Sequence, residues 1–101
     1  MRRIQYATLT QGGAGDITAV AAVTGKPIKL LSYQITMSLA GTATWKSGSS
    51  AISGAMYIPT NGALSAVGAV GAPLLETVAG EALVLTSATG IATGHIAYYT
   101  D

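Results

Sequence analysis

The side chains able to carry acid–base chemistry are few, and His95 is the only histidine in the chain. A Ser–His–acid triad places a histidine between a nucleophilic serine and a carboxylate. The carboxylates available for such a triad are Asp16, Glu76, Glu81 and Asp101. The sequence contains no G-x-S-x-G turn, which presents the serine in α/β-hydrolases. We therefore expect a structural or interface role for His95 and no enzymatic activity. A hydrolase using His95 and Asp101 is the least supported alternative.

Metal and phosphate ligands are equally sparse. The chain has no cysteine, so a zinc–thiolate site is excluded. Glu76 and Glu81 lie on either side of Gly80 and could bind calcium together with backbone carbonyls. The simpler interpretation is that Glu81 marks the polar beginning of a strand. The glycine-rich run at residues 12–15 lacks the Lys-Ser/Thr that follows in a phosphate-binding loop. We expect neither a metal nor a cofactor.

The only aromatic side chain flanked by cationic and hydroxyl groups is Trp45, which precedes Lys46 and Ser47. An exposed tryptophan in such a setting could be the platform of a carbohydrate site. The simpler interpretation is that Trp45 anchors a core or an interface, because indole buries a large apolar area. Five Lys/Arg against four Asp/Glu give a net charge of +1. That balance provides no basic patch for nucleic acid.

Composition predicts one small domain, over residues 1–101, with an unusually neutral surface. Only 9% of the 101 residues are charged, whereas about 25% is usual, and 50% are hydrophobic. A nearly uncharged surface promotes association, so we expect another protein to cover much of it. No apolar run is long enough to span a membrane. Arg2 and Arg3 are followed by polar residues, unlike the apolar core of a signal peptide, so we expect synthesis and assembly in a cytosol.

Periodicity predicts an all-β fold. The longest stretch without Gly or Pro, residues 28–40, alternates apolar and polar side chains from Leu31 to Ala40, which is typical of a half-buried strand. Turn residues recur about every 8–12 positions, as in sandwiches and barrels. About eight strands suit a jelly roll, and an immunoglobulin-like sandwich is the alternative. The predicted strands cover residues 3–10, 16–23, 28–40, 42–46, 55–59, 74–78, 82–87 and 91–99.

Two segments of the chain resemble small structural proteins from the head modules of tailed bacteriophages. The first segment has a Lys-x-Ile-x-x-Leu-Ser strand, an aromatic–Lys-Ser-Gly-Ser loop and an Ile-Ser-Gly turn. The second has a Glu-Thr-x-Ala-Gly-Glu-Ala-Leu run and a closing Gly-His-x-x-Tyr strand. These segments are KPIKLLSYQITMSLAGTATWKSGSSAISGAMYI, residues 26–58, and ETVAGEALVLTSATGIATGHIAYY, residues 76–99.

The resemblance implies a virion protein of the head decoration, or capsid cement, type. Such proteins are β-rich and commonly trimeric, and they bind the outside of an assembled capsid where they bridge neighbouring major capsid subunits. It therefore implies the major capsid protein and further copies of this chain as partners, with no nucleic acid or membrane involved. The expected location is the capsid exterior, after synthesis in the bacterial cytoplasm. A tail, neck or fibre subunit, one that recognises carbohydrate included, is the alternative.

Three groups of residues are predicted to make the protein contacts. The first is an N-terminal arm over residues 1–5, with Arg2, Arg3 and Ile4. The second is a polar loop over residues 46–50, with Lys46, Ser47 and the adjoining Trp45. The third pairs His95 with Tyr99 on the last strand, where Tyr98 and Tyr99 are expected on opposite faces.

Overall fold

The computed structural model describes residues 4–10, 15–69 and 71–100. Arg2, Arg3 and Asp101, and the predicted loop at residues 11–14, lie outside these ranges. Within them the chain forms antiparallel β-strands joined by short turns. The strands are β1 Gln5–Thr10, β2 Gly15–Val20, β3 Lys29–Met37, β4 Gly41–Ser47, β5 Ser50–Ala51, β6 Met56–Ile58, β7 Ala63–Val67, β8 Leu75–Glu76, β9 Leu83–Ser87 and β10 Ala92–Tyr99.

The strands form two packed sheets with the strand order of a jelly roll. Sheet A has the order β1-β10-β3-β7, with β8 also paired to β3, and sheet B has the order β2-β9-β4-β5, with β6 also paired to β4. The first strand pairs with the last, β2 with β9, β3 with β7 and β8, and β4 with β5 and β6. This is one long hairpin rolled into a sandwich. The prediction of an all-β jelly-roll sandwich is confirmed.

The core lies between the sheets and follows the alternation of the strands. Inward-facing side chains come from every long strand, because side chains of a strand point alternately to its two faces. Trp45 is a fully buried member of this core and packs beside Tyr33, with ring centroids 5.6 Å apart. The other fully buried members include Leu9, Ile28, Leu30, Ile35, Met37, Ile58, Leu83, Leu85 and Ile96.

One irregularity changes which residues of β3 face the core. Ser32 pairs with Ala97, but Tyr98 pairs with Leu30, so Leu31 has no partner on β10. The extra residue reverses the alternation, as a β-bulge does. Leu30 is therefore fully buried, while Leu31 is only half-buried. The strand also ends at Met37, so Leu39, predicted on the apolar face, is 56% exposed in the following turn.

Two strands fall where none was predicted. β5 begins at Ser50, the last residue of the predicted loop at residues 46–50, and β7 lies in a stretch whose alternation is hidden by small residues. The predicted arm is also shorter, because Gln5 already pairs with Tyr98 as the first residue of β1. The remaining predicted strands are present, with ends shifted by a few residues.

The strand order collects the connections at two opposite ends of the sandwich. One end, hereafter the loop end, is made by residues 38–40, 59–62 and 88–91. The opposite end, hereafter the terminal end, holds Ile4, Thr100 and the turns at residues 21–28, 48–49, 68–69, 71–74 and 77–82. These ends and the outer faces of the sheets are the surfaces available to a partner.

Candidate functional site

Three residues predicted to contact a partner are buried within the chain. Trp45 is 0% exposed, and Ser47 and Tyr99 are each 1% exposed. Their prediction as surface contacts is wrong, because each side chain is covered by the protein itself. The carbohydrate platform imagined on Trp45 is wrong for the same reason, since no face of the indole reaches solvent.

Trp45 is a core anchor, the simpler of the two interpretations that the sequence allowed. Its indole Nε1 is buried and has no hydrogen-bond partner among the described residues. The neighbouring Tyr33 hydroxyl donates to the Met56 sulfur across 3.5 Å, and burial raises the pKa of Tyr33. The side chains around Trp45 therefore offer it packing and little polar contact.

Ser47 and Tyr99 connect turns at the terminal end. The Val78 N–H donates to Ser47 Oγ at 2.9 Å, and Ser47 Oγ donates to Glu81 Oε1 at 2.5 Å. The Gly71 N–H donates to the Tyr99 hydroxyl at 3.2 Å. Tyr98 packs against the core, so Tyr99 faces outward from sheet A and is buried by the chain between β7 and β8. The two tyrosines do face opposite ways, yet neither is free for a partner.

Lys46 lies on the outer face of sheet B and is occupied by a partner within the chain. Its ammonium lies 3.6 Å from Asp16 Oδ1, and its side chain is 25% exposed. Lys46 pairs with Val84 in the sheet, and Asp16 pairs with Thr86. The Thr86 hydroxyl also donates to Asp16. That hydrogen bond, and then the Lys46 charge, lower the pKa of Asp16.

His95 is exposed at the centre of the outer face of sheet A. Its row runs across the sheet through Thr8, Gln34 and Ser65, all of them exposed. The next row is tied by a 2.9 Å hydrogen bond between the hydroxyls of Thr36 and Thr93. The twelve outward-facing side chains of three adjacent rows are Tyr6, Ala97, Ser32, Val67, Thr8, His95, Gln34, Ser65, Thr10, Thr93, Thr36 and Ala63.

These three rows contain no Asp, Glu, Lys or Arg. His95 is the only basic side chain among them. These three rows of the outer face of sheet A therefore present hydroxyl, amide and apolar groups around His95. Such a surface is suited to a protein partner of matching neutrality, since a charged partner would have to desolvate its charges without compensation.

The loop end continues this uncharged surface and is tied together by hydrogen bonds between its turns. The Thr89 hydroxyl donates to the Ala40 carbonyl at 2.6 Å, and the Ala40 N–H donates to Thr60 Oγ1 at 2.9 Å. Ser38 and Ile91 exchange two further bonds, at 2.8 and 3.1 Å. Residues 38–40, 59–62 and 88–91 include no charged side chain. A partner would meet a surface whose conformation is already fixed.

Apolar side chains are exposed at the loop end beside a groove. Leu39 is 56% exposed and Ile91 is 37% exposed. The groove has a volume of about 360 Å³ and is lined by Thr36, Met37, Ser38, Asn61, Ile91 and Thr93. Thr36 and Thr93 also belong to the outer face of sheet A, so the two surfaces are continuous. Together they form the candidate contact surface.

The described charges lie elsewhere. Lys26, Lys29, Glu76 and Glu81 lie at the terminal end, and Asp16 and Lys46 pair on the outer face of sheet B. Lys29 extends over the Tyr99 ring, 5.5 Å from its centroid. Ile4, the one described residue of the predicted arm contacts, is half-buried at the same end. Among the described residues, the charges are therefore confined to the terminal end and the outer face of sheet B, whereas the loop end and the adjoining rows of sheet A are uncharged.

The structure does not bring His95 together with the described acids proposed for a triad. Asp16 is on the outer face of the other sheet, and Glu81 is bound to Ser47 at the terminal end. Glu76 pairs with Lys29, whereas His95 pairs with Gln34, further along the same strand. Within the described residues, no three His, Asp or Glu side chains cluster as a metal site would require.

The exposed apolar residues that the fold brings to the loop end, Leu39 and Ile91, were not predicted from the sequence. Leu39 and Ile91 are far apart in sequence and meet only because β3 and β10 are neighbours. The available signal was the complete absence of charge from the turns at residues 38–40, 59–62 and 88–91. For Ser47, the signal was its parity with Ala43 and Trp45, which places all three on the inner face of β4.

Comparison with models of known protein families finds no match, and comparison with curated protein sequences finds no relative. In the ranges that the structure describes, no helix has the length and hydrophobicity to cross a membrane.

Proposed function

We propose that this chain is a non-enzymatic structural protein of a tailed-bacteriophage particle, which decorates the capsid exterior and bridges neighbouring major capsid subunits as a homotrimer. The resemblance of residues 26–58 and 76–99 to head-module proteins supports the class of protein. The separation of His95 from the described acids supports the non-catalytic part of the proposal.

The observation that carries the proposal is the continuous uncharged surface formed by the three rows around His95 on the outer face of sheet A and by the loop end. A large apolar patch that is exposed on a protein often marks a site of protein–protein contact. Leu39 and Ile91 supply apolar area, and the cross-bonded turns hold that area in one conformation. Binding then requires little ordering of the surface, which favours affinity.

Cementing a shell follows from such a surface by mass action. A protein that binds the assembled capsid lattice and not dissociated subunits stabilises the lattice, and the stabilisation increases with its affinity and its free concentration. A trimer contacts several capsid subunits at once. After the first contact has formed, the others form within the same complex, so the trimer binds more tightly than a single chain would. No chemical step is needed, and the rigid sandwich is sufficient.

The experiment is a cosedimentation assay of purified protein with capsids that lack it. Leu39→Asp at the loop end and Gln34→Lys beside His95 place a charge on exposed positions of the proposed contact surface. A charge brought into an uncharged interface without a partner should weaken binding by roughly tenfold or more. Thr18→Lys, at an exposed position of sheet B, is the matched control and should bind as wild type does.

Binding of both surface variants with wild-type affinity would reject this surface as the capsid contact. Failure of the wild-type protein to bind any capsid would reject the decoration role itself. Unfolding curves of each variant establish that a loss of binding is not a loss of fold.

A further inference from the structure

The free edge of sheet A at β7 has features that a solvent-exposed strand edge rarely keeps. β7 pairs with β3 on one side, and no other described strand pairs with it on its opposite side. An edge strand presents a row of backbone N–H and C=O groups to any strand that approaches. Proteins normally protect such an edge with charged residues, proline, a bulge or a covering segment.

β7 carries none of the protection that its own chain could supply. Its sequence, Ala63 to Val67, has no charge and no proline, and its five pairs with β3 follow an unbroken register. No charged residue occurs anywhere between Lys46 and Glu76. The edge strand of sheet B at the opposite side, β2, differs because it carries Asp16.

The side chains around β7 suit close approach by another strand. Ala63 and Ser65 are small and exposed, and Val67 is 80% exposed. On the adjoining edge of sheet B, Tyr57 of β6 is 68% exposed. The Tyr33–Met56 hydrogen bond shows that β6 borders this side of the sandwich. Apolar area and unpaired backbone therefore lie together on one side.

We propose that a second copy of this chain covers the β7 edge. The unpaired N–H and C=O groups of the edge bind another β-strand best. Because residues 47–75 carry no charge, the strand that binds there should also be uncharged. The chain supplies such a strand itself, at its own concentration, in the uncharged edge strands of other copies, and pairing between unlike edges, β7 with β1, can close a trimer. The inference rests on the self-association included in the proposed function. It assigns that contact to the backbone edge of β7, whereas the proposed capsid contact uses the outer face of the sheet, to which Ser65 and Val67 also contribute side chains.

The test measures the molar mass of the purified protein in solution by light scattering or sedimentation over a range of concentrations. The wild-type protein should have a molar mass of at least two chains of 10.1 kDa each. Ser65→Lys and Val67→Lys place an ammonium group on exposed positions of β7, where it protects the edge as lysine does in natural sheets. Both variants should have the mass of one chain.

Thr18→Lys is the matched control, because Thr18 is an exposed hydroxyl residue on an edge strand that already carries Asp16. It should keep the wild-type mass. A monomeric wild type, or retention of the wild-type mass by both β7 variants, would overturn the proposal. The molar mass is measured without capsids, so its result is independent of the cosedimentation assay. A monomeric protein that still binds capsids would reject only the β7 contact, and an oligomer that binds no capsid would reject only the capsid role.

Discussion

The Ser47 hydroxyl donates a 2.5 Å hydrogen bond to the Glu81 carboxylate, and this joins the end of β4 to the turn before β9. The same hydroxyl accepts a hydrogen bond from the Val78 N–H, so one buried atom holds both ends of the turn at residues 77–82. A nearby pair of bonds between Ile28 and Thr77 fixes the beginning of that turn. The terminal end is therefore ordered by side chains as well as by strand pairing.

Ser47→Ala should lower the free energy of unfolding by about 1–3 kcal/mol, because it leaves the Val78 N–H and the Glu81 carboxylate without their shared partner. Ser49→Ala, at an exposed position of the adjoining turn, should stay within about 0.5 kcal/mol of wild type. Urea unfolding measures both. Equal stability of the two variants would mean that the Ser47 network contributes nothing.

Gly94 is required by the close approach of β10 to β3. Its φ of 153° is one that side-chain-bearing residues rarely adopt, and a Cβ there would collide with the Gln34 carbonyl oxygen. Gly94→Ala should destabilise the protein by roughly 2 kcal/mol or more, through backbone strain and overpacking. Gly54→Ala is the matched control, since nothing lies within 4 Å of its Cβ position. A Gly94 variant as stable as the Gly54 variant would contradict this account of the strand pairing.

The free energy of unfolding should depend on pH through the ionisation of Asp16. The Thr86 hydrogen bond, and then the Lys46 charge, lower its pKa from the ordinary 3.8. A carboxyl group with a lowered folded-state pKa stabilises the fold above its unfolded pKa, and this contribution disappears as the pH falls through the folded pKa. Asp16→Asn should therefore be less stable than wild type at neutral pH.

In acid below the folded-state pKa of Asp16, the two proteins should converge in stability. Thermal unfolding of both across this pH range measures the difference. A difference that persists unchanged in strong acid would show that the charge of Asp16 is not its cause.

Trp45 provides an intrinsic probe of the core, because it is the only tryptophan. Complete burial predicts blue-shifted native fluorescence that moves to the red on unfolding. Trp45→Phe should be clearly more stable than Trp45→Ala, since truncation to alanine in a core typically costs about 3–5 kcal/mol. Phenylalanine fills most of the space and removes a buried N–H that has no described partner. Native emission typical of a solvated indole would contradict the buried position.

The sandwich could be predicted because its long strands alternate apolar and polar residues and its turns are marked by glycine. Ile35 and Met37 face the core as their alternation required. Leu30 could not be placed, because the reversal at Leu31 depends on how β10 pairs with β3. β7 was missed because Ser65 and small alanines hide its alternation.

The contact surface was harder to predict than the fold. Trp45 and Ser47 look like polar-loop neighbours in sequence, but their side chains share the inner face of β4. Tyr99 has the outward parity expected of an exposed residue, yet the chain near Gly71 covers it. His95 is exposed on β10, which its prediction as a contact residue requires, and the contact itself stays a prediction. Burial by a distant segment is a tertiary effect that strand periodicity does not contain.

The proposed capsid role is tested most directly on native particles. Heads and tails are purified separately, and this chain is quantified by mass spectrometry against the major capsid protein. The account predicts that the chain is found in heads, in amounts near those of the major capsid protein. Its absence from particles would contradict the account, and so would confinement to the tail fraction, which is the result expected of a fibre or neck subunit.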